Sequence, residues 1–294
     1  MNDGPNILFI VEGEKLEPEI VERMISVYKV NCEITSVCTN IHALYQILKK
    51  DDGFSDIISV LKELFIAEIK KLESDGPKKD QRKQLNRVKA DLEKLNGKFA
   101  YRYLVFDSEL QHGEGGVSLP REKQIEKNCN KLKNMLEFFN NESDQGKLYV
   151  NYPMMESYRD CDAFFDEGYK DRTVALDLLS KYKEQVGKRK LSKVHTDKID
   201  KEDFDQLIRM NVFKLNRIST ENWMPMSYDD FLLYSEQQSI LSAEQNFMAK
   251  EKAIAVLNTL LFFTLDYYGR SFYTTMMKCG DNMAAILPLP ANIH

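Results

Sequence analysis

The sequence predicts an α/β fold, a parallel sheet flanked by helices, with an inserted helical hairpin and an all-α C-terminal region. Three observations lead there. Short unbroken apolar runs, the mark of strands covered on both faces, stand at 6–11, 99–106 and 148–152. Helical periodicity fills the stretches between them, the alternation expected of strand–helix–strand units. Beyond Ser157 this alternation stops, and 174–191 and 204–294 read as helices and loops. The expected division is 1–165 for the sheet domain, with the hairpin at about 54–97, and 166–294 for the helical remainder.

Asn6 to Val11 forms the first strand and runs into Glu-Gly-Glu. Leu16 to Tyr28 follows as an amphipathic helix: Ile20, Val21, Met24, Ile25 and Tyr28 recur every three or four residues, and Pro18 sits in the first turn, where its missing N–H is not needed. Cys32 to Val37, rich in β-branched residues, predicts a second strand, and Leu44, Tyr45 and Leu48 line one face of a helix over Ile41 to Lys49. Two helical patterns, Ile57 to Leu72 and Gln81 to Leu95, are parted by Ser-Asp-Gly-Pro at 74–77, which predicts the hairpin. Phe99 to Phe106 returns to strand character and ends in Asp107-Ser108-Glu109. The glycine-rich 113–116 reads as a loop and Ile125 to Phe139 as a helix with Cys129, Leu132, Met135 and Leu136 inward. Leu148 to Tyr152 is the next strand and leads into Pro153-Met-Met-Glu156. Further on, Ala243 to Leu265 is apolar almost all round, which predicts one central buried helix.

Charge and composition narrow the function. With 43% hydrophobic and 30% charged residues in 294, the chain has enough apolar mass to fold around a core. A net charge of -5 excludes a uniformly basic coat of the kind that binds nucleic acid over the whole surface. The positive charge is concentrated instead: Lys70 to Lys98 and Lys181 to Lys193 each carry +5. Such runs are most often solvated faces, but they are also the segments able to guide a polyanion, with Lys78, Lys79, Arg82, Lys188, Arg189 and Lys190 as candidate contacts. Five cysteines, without a Cys-x-x-Cys pair, indicate neither a disulfide framework nor a zinc ribbon. No basic leader precedes the first strand, and the most lipid-like stretch, Ala253 to Leu265, falls short of the roughly 20 residues of a membrane span, so a cytoplasmic protein without membrane contact is expected. That apolar stretch also leaves room for a homodimer. No Gly-x-x-x-x-Gly-Lys-Ser/Thr occurs, so the chain carries no P-loop for ATP.

The chemistry concentrates where the strands end. Glu12 with Glu14, Asp107 with Glu109, and Glu156 each follow an apolar strand at once. Parallel strands lie about 4.8 Å apart, so carboxylates at their ends converge on one edge of the sheet and call for a cation. Hard oxygen ligands suit Mg²⁺ or Mn²⁺, which bridge to phosphate oxygens. Gly13 allows a tight turn and a close approach to the backbone. Glu14, Glu17, Asp160 and Asp162 read as helix N-terminal or surface carboxylates, favoured there by the helix dipole. His112, in the expected loop, reads as solvated.

Ile-Val-Glu12-Gly13 after the first strand, with Val-Phe-Asp107-Ser-Glu109 after a later one, resembles the Toprim domain of topoisomerases, bacterial primases and the nucleases of the overcoming-lysogenization-defect family. Val-Glu12-Gly-Glu14-Lys15-Leu-Glu17-Pro18 and Tyr-Pro153-Met-Met-Glu156 look especially like RloB-like Toprim proteins of bacterial defence loci. The resemblance covers roughly residues 6 to 165, interrupted by the hairpin. It implies that Glu12 is the Toprim glutamate, a general acid or base or a metal ligand, that Asp107 is the first aspartate of the metal motif, and that Glu156 is a later ligand or its neighbour. Glu109 stands where the family has a second aspartate, so its carboxylate reaches one methylene further. Lys15 would contact a phosphate near the metals. The resemblance further implies a Mg²⁺- or Mn²⁺-dependent nuclease of antiphage defence, acting on DNA or RNA and working with a separate ATPase, as in PARIS-like systems whose Toprim effector attacks transfer RNA. An inactive Toprim-like binding module and a primase-type nucleotidyl transferase are the alternatives.

Overall fold

All five residues of Ile7–Val11 (β1) are buried, and a strand buried on both faces belongs in the middle of a sheet layered between helices. The computed structural model, which describes residues 7–37, 40–50, 55–74, 79–110 and 120–278, places it there. From β1 the chain turns through Glu12 and Gly13 into Leu16–Tyr28 (α1), whose buried Ile20, Val21, Met24, Ile25 and Tyr28 are the stripe read from the sequence. Cys32–Ser36 (β2) and Ile41–Lys50 (α2) follow, then Ile57–Ser74 (α3) and Lys79–Lys94 (α4), which pack on each other as the expected hairpin. Tyr101–Asp107 (β3) returns to the sheet. Arg121–Phe138 (α5) then leads through Asn140–Asn141 (β4) to Gly146–Asn151 (β5).

The sheet runs β2-β1-β3-β5-β4, the first four strands parallel and the short β4 antiparallel at one edge. Gly146 makes the turn into β5 possible: its φ is +115°, and a Cβ there would stand 2.3 Å from Leu104 Cδ1. At the other edge the hairpin covers β2, and Lys94 Nζ donates to the Ile34 carbonyl at 2.9 Å, occupying an acceptor that would otherwise invite another strand.

Beyond the sheet come Thr173–Ala175 (β6), Tyr182–Val186 (α6), Lys201–Thr220 (α7), Tyr228–Ser235 (α8), Gln237–Glu251 (α9), Ala253–Ala255 (β7) and Phe263–Lys278 (α10). The region is helical as expected, except that β6 and β7 pair as a two-stranded antiparallel ribbon. The single helix expected over Ala243 to Leu265 is broken into three pieces. α9 stops at a left-handed Lys252, β7 follows, and a 3-10 turn at Leu260–Phe262 leads into α10. Residues 253–264 are buried on every side because the segment threads through the core, and periodicity cannot tell a buried strand from a buried helix. Side chains replace the helical ladder: the Asn258 N–H donates to Asn211 Oδ1 at 2.9 Å and the Thr259 N–H to Asn151 Oδ1 at 3.0 Å. The stretch 174–191, read as helices and loops, holds the end of β6, a 3-10 turn and the one-turn α6.

One core spans both expected regions. Phe263 meets Phe9 and Tyr103 edge-on, with ring centroids 4.7 and 4.9 Å apart, and Lys147 pairs with Asp266 at 2.7 Å. The apolar run that suggested self-association is taken up by this core. Among the described residues no helix is long and apolar enough to cross a membrane.

Candidate active site

The chain passes from β1 to β2 on one side, then crosses back to β3 on the other. Connections therefore leave β1 and β3 in opposite directions and open a crevice at the carboxyl ends of these two strands, the usual ligand position in such sheets. Val11 is in register with Val105, so Glu12 and Asp107 lie at the crevice within one residue of each other across neighbouring strands. The Asp107 N–H donates to the Glu12 carboxylate, which also bonds the side chain of Glu109. Asp107 Oδ1 in turn accepts from the Met155 N–H at 2.7 Å. Glu156 arrives beside them on the 3-10 turn Met155–Arg159, only 6% exposed.

Four of the sequence-predicted residues are thus brought to one place, and the electrostatics record it. Burial, then the charge of Glu109, pushes the Glu12 carboxyl up to about 7. Burial, then the charges of Glu12 and Glu156, holds Asp107 well above the usual carboxylate range. Glu109 takes a left-handed backbone, φ +49°, a conformation costing a residue with a Cβ roughly 1–2 kcal/mol. Asn128 Nδ2 donates to the next carbonyl, Leu110, at 3.0 Å and holds the turn.

Three further residues join the cluster. Glu17, read from the sequence as a first-turn helix carboxylate, occupies that position and also faces the acids: burial, then the charge of Glu156, raises it. Its carboxylate lies over Gly13, where a Cβ would stand 1.9 Å from Glu17 Oε2 and displace it. Lys183 Nζ lies 3.1 Å from Glu156 Oε1; burial works to lower it, but Glu156, Asp107 and Glu17 outweigh that and raise it. Arg159, at the end of the turn that carries Glu156, adds its positive charge to that of Lys183 in favouring the ionised Glu17. The signals were present in the sequence as proximity, Glu17 in the first turn of the helix that follows Glu12 and Arg159 a 3-10 turn past Glu156, but neither residue ends a strand.

The acids suit a hard divalent cation on one count. Glu12 Oε2 and Glu156 Oε2 are buried without a hydrogen-bond partner, and buried acceptors of this kind are rarely left open. Among the described residues no group of three or more acidic, His or Cys side chains stands as a ready ligand set. Mg²⁺ does not need one, since it is usually held by one or two carboxylates together with water and substrate phosphates.

The basic candidates divide. Arg189 is committed to structure: its Nε lies 2.8 Å from Asp160, a carboxylate that is 3% exposed and not at the surface as its sequence context suggested. Lys190 donates its backbone N–H to Asp162 at 2.9 Å and, like Lys188, keeps an exposed side chain. Arg82 is exposed on α4, which Lys79 opens; Lys78, His112 and the glycine-rich 113–116 lie outside the described residues. The hairpin reaches the site's margin through Arg87, whose Nη2 donates to Glu14 Oε1 at 2.6 Å. Lys15 is exposed beside the start of α1. Comparison with family models, with curated proteins and with solved structures finds no match to this chain.

Proposed function

We propose that this chain is a Toprim-type nuclease that hydrolyses phosphodiester bonds in DNA or RNA, transfer RNA included, with Mg²⁺ or Mn²⁺. The observation that supports it most is the pairing of Glu12 and Asp107 across β1 and β3 at the sheet's switch point, both with raised proton affinity. Nucleic acid as substrate, a role as cytoplasmic effector in antiphage abortive infection, and control by a separate ATPase rest on the motif resemblance.

Glu12, Asp107 and Glu109 would hold the metal, with Glu156 at its side; bound there, it would polarise a phosphate and acidify a water. The chain's own groups do the rest. Where it is not bound to the metal, Glu12, whose carboxyl burial and Glu109 push up to about 7, would accept or return a proton at neutral pH. The Met155 N–H fixes Asp107, and the Lys183 ammonium on Glu156 stands ready to turn to a phosphate oxygen.

Purified protein is incubated with Mg²⁺ or Mn²⁺ and plasmid, single-stranded DNA or transfer RNA, with and without a partner ATPase. Metal-dependent cleavage is expected, reduced at least about 100-fold by Glu12→Ala. No cleavage in any arm overturns the reading. The absence of a ready ligand set among the described residues favours the inactive binding module as second reading, and full toxicity or phage protection by Glu12→Ala would select it.

A further inference from the structure

A groove of about 330 Å³ opens beside the acid cluster, between the start of α1 and the segment that follows α6. Lys15 and Glu19 line it from α1, Arg159 from the turn that carries Glu156, and Lys193, His195 and Thr196 from the opposite wall. The cations near it differ in how they are partnered. Lys183 is neutralised by Glu156 and Arg189 by Asp160, whereas Lys15, Arg159 and Lys193 make no ion pair with a described residue. Arg159 Nε is buried and has no hydrogen-bond partner, with its guanidinium 5.7 Å above the ring of buried Tyr158. Glu19 is the one acidic lining residue, and His195 Nδ1 lies 2.8 Å from Asp197. Arg159 makes no hydrogen bond or ion pair with a described residue, so the oxygen acceptors of an anion seated in the groove would satisfy it.

We infer that this groove is a phosphate subsite that takes one nucleotide. Three cations from three segments converge on it, and the planar Arg159 fork suits two phosphate oxygens at once. Its volume lies at the low end of ligand pockets, about 300–1,000 Å³, the size of a nucleotide more than of a bare phosphate ion. Arg159 and Glu156 share one 3-10 turn, and Lys15 stands three residues after Glu12, so a strand seated here lays its neighbouring phosphodiester toward the acids. That the nucleotide belongs to a strand to be cut rests on the nuclease reading; the affinity for its phosphate does not.

The test is binding in EDTA, so that cleavage plays no part: fluorescence anisotropy of a labelled single-stranded oligonucleotide, with AMP and inorganic phosphate as competitors. Arg159→Ala and the double variant Lys15→Ala/Lys193→Ala are each expected to weaken binding about tenfold or more, and the double variant to lower the salt slope by about 1.4. The charge-matched Lys133→Ala/Lys250→Ala serves as control. Competition by AMP identifies a free nucleotide as ligand, and binding of the strand alone identifies the strand. Lys15 and Lys193 are exposed, so their double variant folds even where Arg159→Ala does not. Wild-type affinity in that double variant, or equal weakening by the control, overturns the subsite. Binding retained without metal-dependent cleavage strikes the nuclease reading alone, and cleavage at wild-type kcat/KM by the double variant strikes the subsite alone.

Discussion

Glu12 carries a cost in stability. A carboxylate held among other acids opposes folding whenever it is ionised. Its folded form titrates at about 7 against an ordinary 4.5, so the folded state binds the proton more tightly. The resulting stability is fully present below 4.5 and is lost as pH rises through 7. Glu12→Gln removes the charge and keeps the shape. In metal-free buffer at pH 8 the variant is expected to melt a few degrees above the wild type, since about 1 kcal/mol moves Tm by roughly 2–4 °C in a chain of this size. The gap should close toward pH 5, and Mg²⁺ should stabilise the wild type only. A variant that melts lower than wild type at pH 8 would count against the cluster as drawn.

At the scale of elements, the C-terminal helices hold the β6–β7 ribbon through buried charged groups. Lys214 on α7 is 1% exposed, yet its ammonium donates to the carbonyls of Tyr169, Lys170 and Arg172 at 3.3, 2.8 and 2.9 Å. Those carbonyls belong to the turn before β6, and Glu244 on α9, fully buried, accepts the Ala255 N–H of β7 at 3.0 Å. Burial drives Lys214 down and Glu244 up, each toward its neutral form, so hydrogen bonding matters here more than charge attraction. Lys214→Met leaves three carbonyls without a donor and is expected to destabilise by about 3–5 kcal/mol in urea unfolding. Unchanged stability would show that water satisfies them.

Over the whole molecule, the boundary expected at residue 165 does not divide the core. Phe263 closes over Phe9 and Tyr103, and Asn151, next to Asp107 in the sheet, accepts the N–H groups of Thr259 and Leu260 at 3.0 and 3.3 Å. A chain ended at residue 165 is therefore expected to show no cooperative unfolding transition by circular dichroism, while the full chain melts in one. A sharp melt of the fragment would establish an independent sheet domain.

The parallel strands, the hairpin and the placement of Glu12, Asp107, Glu109 and Glu156 were legible in the sequence, because unbroken apolar runs ending in acids are local patterns. The path of 253–265 was not, since a segment buried on all sides has lost the periodicity that separates helix from strand. Glu17, Lys183 and Arg159 were missed for a related reason: each is unremarkable among its sequence neighbours and acquires a role only from residues brought to it by the fold. By itself, then, the sequence determined the strands and the acids at their ends. Only the tertiary structure decided which acids share a charge, which cations are already spent on partners, and which remain unpaired in a groove, because charge coupling depends on distance through space and sequence order does not record it.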